Sequence, residues 1–257
     1  MLDRIKYLSI ALVLTVAGCA DTKPPTLPIQ VDAAHCTHPV DTLLVLLPGA
    51  YDHADEFVRR GFVAAVRERD IAADVALVDA TMPFYRDRDI VTRLDADVVA
   101  PAQARGIRHI WFAGISLGGV GSLVYSNERR GVASGLLLIA PYLGERATTA
   151  EVEASGGLAR WAPPGAIPPD DIDRRLWQWA KVLATSHDAS VPPVWLGFGV
   201  DDRYAASHRQ FAAALPPDHV FTAPGDHDWP AWQAVWPRML DAAPLPRGCG
   251  AGSKEHG

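Results

Sequence analysis

Short, continuously apolar runs recur along this chain, each separated from the next by a stretch with helical spacing. Leu43-Leu44-Val45-Leu46-Leu47 is apolar at every position and stops at Pro48-Gly49. A strand covered on one face alternates apolar and polar residues, whereas a strand covered on both faces does not. The segment that follows, Asp55 to Asp70, puts Phe57, Val58, Phe62, Ala65 and Val66 on one side and Arg59, Arg60 and Arg67 elsewhere, the pattern of an amphipathic helix. The same reading predicts strands over 74–78, 107–113, 136–140, 193–198 and 219–223, and helices over 91–105, 117–129, 171–184, 205–215 and 229–242. Buried strands alternating with helices imply an α/β fold, a mostly parallel sheet of about six strands sandwiched by helices. Such a sheet carries its ligand site at the carboxyl ends of the strands. The stretch 142–190 breaks the rhythm with a Pro-rich segment, Pro163 to Pro169, and reads as a small helical cap insertion. A length of 257 residues suits one full-sized core. The net charge of −6 offers no basic footprint, so no nucleic-acid partner is expected.

One motif falls at the junction of a buried strand and a helix: Gly114-Ile115-Ser116-Leu117-Gly118. A G-x-S-x-G run there holds a serine on a sharp, strained turn with its hydroxyl above the sheet edge. The flanking glycines let neighbouring backbone pass where a Cβ would clash. The helix start adds partial positive charge for a developing oxyanion. Ser116 is therefore the candidate nucleophile.

From Thr42 to about Ala242 the chain resembles the α/β-hydrolase family, whose catalytic order is serine, acid, histidine. The resemblance implies a serine hydrolase acting on carboxylic esters, with thioesterase and acyltransferase chemistry open to the same triad. A catalytically inactive binding lipoprotein of the cell envelope is the alternative from another class. The family carries its histidine in the loop after the last strand, which here holds Pro224-Gly225-Asp226-His227-Asp228-Trp229. His227 is thus the candidate base, with His53 as its rival; His187 and His208 read as surface residues and His109 as a core residue. The acid follows the penultimate strand, in Gly199-Val200-Asp201-Asp202-Arg203. Asp202 fits the family spacing from the glycine, and its neighbour Asp201 stays open. The oxyanion hole implied by the resemblance uses the N–H of Leu117 and one from the loop Pro48-Gly49-Ala50-Tyr51, where Ala50 is preferred to Tyr51. Tyr51 and the cap residue Trp161 are candidate substrate contacts for a small-molecule ester. Packing is the default role of Trp161, Trp177 and Trp179, and of Trp229, Trp232 and Trp236, which share one helical face.

The N-terminus belongs to a separate argument. Arg4 and Lys6 precede an apolar run, Tyr7 to Val16, that ends in Val16-Ala17-Gly18-Cys19. This resembles the lipobox of bacterial lipoproteins, the alternative being an ordinary secretory signal. The resemblance implies a signal peptide over 1–18, a lipid on Cys19 as a membrane anchor, and a place in the cell envelope, on the periplasmic face of the outer membrane. Residues 19–40 read as a flexible tether, 41–249 as the hydrolase domain and 250–257 as a tail. With Cys19 lipidated, Cys36 and Cys249 remain and can pair in an oxidising compartment. No Walker loop, G-x-G-x-x-G, H-E-x-x-H or paired C-x-x-C occurs, so neither cofactor nor metal is expected. The oligomeric state is left open.

Overall fold

The computed structural model describes residues 23–249. Seven strands form one sheet: β1 (Ile29–Asp32), β2 (Thr42–Leu47), β3 (Asp74–Val78), β4 (His109–Ile115), β5 (Ala133–Ile139), β6 (Val194–Gly199) and β7 (Val220–Ala223). Their spatial order is β1-β3-β2-β4-β5-β6-β7. The six predicted strands pair in parallel, and β1 joins as an antiparallel edge against β3. All residues of β2 and β6 are buried, as their unbroken apolar runs require. The helices are α1 (Glu56–Arg59), α2 (Phe62–Glu68), α3 (Met82–Arg86), α4 (Ile90–Arg93), α5 (Ala100–Ala104), α6 (Leu117–Glu128), α7 (Arg146–Ala154), α8 (Ile172–Thr185), α9 (Ala205–Ala212) and α10 (Trp229–Ala242). In one layer α6 lies on β2, β4 and β5, flanked by α4 and α8. In the other, α10 lies on β5, β6 and β7 and packs against α2.

Topology decides where a site can form. The chain moves from β2 outward to β3, then crosses back over β2 to β4. The winding reverses there, so the loops leaving the carboxyl ends of β2 and β4 diverge and leave a crevice. Those loops are Pro48 to Asp52 and the turn at Ser116. Leu47 pairs with Gly114, which brings the two strand ends level.

Several expectations need correction. Residues 29–32 are not tether but the edge strand β1, and Leu27 just before it is buried with its N–H on Asp97. The helix expected over 55–70 is two helices, because Gly61 takes a left-handed conformation (φ 77°) that ends the first turn. The helix expected over 91–105 is wound more widely at Leu94–Val99, between α4 and α5. The cap is smaller than 142–190. Helix α8 packs against α6 and serves as the connection between β5 and β6, so the inserted part is residues 142–171 with α7. His109 is exposed rather than packed, since it opens β4 at the amino edge of the sheet. Cys36 and Cys249 form the expected disulfide across 213 residues. Cys19, the signal segment and the tail 250–257 lie outside the described residues.

Candidate active site

Ser116 sits between β4 and α6 with φ 50° and ψ −109°. That left-handed backbone is uncommon for a side chain with a Cβ and stores strain of about 1–3 kcal/mol. Two glycines make the turn possible. A Cβ on Gly118 would stand 2.0 Å from the carbonyl oxygen of Leu47, and one on Gly114 would stand 2.1 Å from that of Gly118. The flanking glycines therefore allow β2, β4 and α6 to converge on the serine.

The loop after β7 brings His227 to this turn. Ser116 Oγ lies 2.9 Å from Nε2 of His227, and Nδ1 of His227 lies 2.8 Å from Oδ2 of Asp202. An ionised carboxylate only accepts, so Nδ1–H donates to Asp202 and Nε2 is left to accept from the serine hydroxyl. Tyr204 and Trp232 present edge-on contacts to the imidazole, with ring centroids 5.1 Å and 5.2 Å away. The side chain of His227 is thereby only 7% exposed.

Between the two adjacent aspartates the choice is clear. Asp202 is buried and Asp201 exposed. Oδ1 of Asp202 accepts the Tyr204 N–H at 2.7 Å. Burial alone would push this carboxyl up, but the bond from His227, the neighbouring His208 and the Tyr204 N–H together hold it below its ordinary range. His53, the rival base, instead has its Nδ1 3.1 Å from Asp79.

His208 is the residue that sequence reading misplaced. It is fully buried rather than on the surface, and its Nε2–H donates to the carbonyl of Pro141 at 3.0 Å. Nδ1, 3.9 Å from Asp202 Oδ2, has no hydrogen-bond partner among the described residues. The clue was present: His208 stands three residues after Ala205 and three before Phe211, on the buried stripe of α9. Burial pushes its pKa down from 6.5 to about 4. Between those values the unfolded chain holds a proton that the fold refuses, so stability falls as pH drops through that window. Two and a half units correspond to about 3 kcal/mol. His208→Gln, which does not titrate, is expected to show a shallower loss in urea unfolding between pH 6.5 and 4; an unchanged slope contradicts this.

Two backbone N–H groups lie near Ser116. Leu117 opens α6, so its N–H has no acceptor within the helix. The β2 loop runs beside Ser116: a Cβ on Gly49 would lie 3.9 Å from the serine Cβ, and Ala50 follows directly. Asp52 in the same loop accepts from the Trp229 indole at 3.4 Å, and burial pushes its carboxyl up. Tyr51 is 94% exposed beside this loop. Trp161 does not serve as a substrate contact: it is 1% exposed, and its indole N–H is spent on Glu151 at 2.9 Å. Trp179, on α8, lines a cavity next to Leu117 instead. The described residues hold no group of three or more potential metal ligands.

No protein-family model matches the sequence, and a search of curated proteins gives no match either. Solved structures do match. Est1E from Butyrivibrio proteoclasticus superposes with a TM-score of 0.56 at 18% identity, over 83% of this chain and 91% of that one. S-formylglutathione hydrolase from Staphylococcus aureus gives 0.53 at 15%, over 79% and 80%. A hydrolase from Pseudomonas aeruginosa gives 0.52 at 19%, over 84% and 93%. Likeness at such identity speaks to architecture, and with the parallel sheet, its reversal point and the helices on both faces it establishes that the chain has the α/β-hydrolase fold.

Proposed function

We propose that this protein is a serine hydrolase that cleaves carboxylic esters through an acyl-enzyme on Ser116. The observation that carries the reading is the unbroken relay from Ser116 through His227 to Asp202, at 2.9 Å and 2.8 Å. His227 accepts the serine proton as Oγ attacks the ester carbonyl. Asp202 fixes the tautomer and stabilises the imidazolium. The N–H groups of Leu117 and Ala50 meet the oxyanion. The imidazolium then protonates the departing alcohol, and His227 activates a water that releases the acid. Tyr51, exposed in the β2 loop, meets the substrate. Solved relatives in fold that are named as esterases, such as a ferulic acid esterase, support ester hydrolysis as the reaction. Anchoring through a lipid on Cys19, in the cell envelope, belongs to the same proposal and rests on the sequence.

Rapid mixing with a p-nitrophenyl ester tests the chemistry. An acyl-enzyme is expected to give a burst of nitrophenolate close to one equivalent per protein when deacylation is the slower step, and steady turnover in either case. An added alcohol that raises nitrophenolate release and appears as a new ester would identify acyl transfer. A folded sample that turns over no ester or thioester would overturn the reading and favour a binding protein.

A further inference from the structure

A cavity of about 300 Å³ begins beside the nucleophile. Its floor is one face of α6, Leu117, Val120 and Val124, and it reaches Glu128 near the end of that helix. Val91 and Leu176 belong to opposite walls, contributed by α4 and α8. Tyr142 stands at its inner end, with its N–H donating to the carbonyl of Ser116 at 3.3 Å. The shape follows from these positions. From Leu117 to Glu128 a helix rises about 16 Å. Lined mainly by apolar side chains, the cavity suits a hydrocarbon chain laid along the helix.

Its side of the catalytic relay is also fixed. No residue of the loops that carry Asp202 and His227 lines this cavity. The departing alcohol must meet His227 to take its proton, so the groove on the other side of Ser116 receives the acyl group. The hollow that touches Asp202 and Tyr204 is different in kind, with Glu145, Arg146, Arg203 and Arg209 in its lining.

We propose that this groove is the acyl site and that the substrate is an ester of a fatty acid of about ten carbons. The inference rests on the acyl-enzyme reading of Ser116. A tetrahedral zigzag of roughly 1.5 Å bonds advances about 1.3 Å per methylene, so about twelve carbons span the floor and the first of them belong to the reacting ester. Longer chains gain nothing further, because the floor ends at the charged Glu128.

The test is a series of p-nitrophenyl esters from acetate to palmitate. kcat/KM is expected to rise by up to about fourfold per methylene, then to level off near decanoate. Val124→Trp, which fills the groove halfway along, is expected to lower the decanoate-to-acetate ratio of kcat/KM at least tenfold. Leu176→Trp narrows the groove from its α8 wall and serves if the first variant does not fold. Turnover that is indifferent to chain length, or a ratio unmoved by a folded, active variant, overturns the acyl groove while leaving the hydrolase intact. Failure to turn over any ester overturns both.

Discussion

Ser116→Ala is expected to lower kcat for ester hydrolysis by about 10⁴–10⁶-fold, down to what binding and the oxyanion donors alone provide. The substitution keeps the Cβ on which the strained turn is built and removes only the atom that His227 reaches at 2.9 Å. The melting temperature should therefore stay within a few degrees of the native value. His227→Ala should lose a similar factor, but with a stability cost, because the buried Asp202 carboxylate then loses its partner at 2.8 Å. The double variant should be no slower than the worse single one, since the two act as a unit. Steady-state kinetics of the three variants, with thermal melts alongside, checks the set. Additive losses would show that serine and histidine work independently.

Asp202→Asn should cost about 10⁴-fold in kcat with little change in KM, for a reason specific to this loop. Oδ1 of Asp202 accepts the Tyr204 N–H at 2.7 Å. An asparagine keeps that bond only by placing its amide oxygen there, which turns its NH₂ toward His227. That group donates, so Nδ1 must accept, and the ring proton moves to Nε2, where it faces the serine. The imidazole is then the wrong tautomer to take a proton from Ser116. Asp201→Asn, one residue away on an exposed position, should change kcat less than twofold. The pair of variants, measured together, separates the two aspartates.

Much of the architecture was legible because burial on both faces writes itself as unbroken apolar runs. The strands from β2 to β7 were found in this way, with ends shifted by up to three residues. Strand β1 was not, since Ile29-Gln30-Val31-Asp32 is short, half exposed and preceded by Pro28, the marks of an edge. Helix α7, Arg146–Ala154, escaped notice because Val152 is the only large apolar residue it buries. The serine was readable from its glycines, whose missing Cβ atoms the backbone geometry demands. Asp202 and His227 were readable from their place after β6 and β7, and the structure brings both to Ser116. His208 was missed because its neighbours Ser207 and Arg209 suggest a wet surface, while its burial depends on the carbonyl of Pro141, 67 residues away. Trp161 was assigned to the substrate on the strength of its cap position, yet its indole is committed within that segment to Glu151.

Whether Ser116 is an activated nucleophile is read out by labelling with a fluorophosphonate followed by peptide mapping. The expected result is one phosphonate per chain, on Ser116, lost in Ser116→Ala and in His227→Ala. A folded protein that takes up no label, or takes it up equally well without His227, would contradict that role.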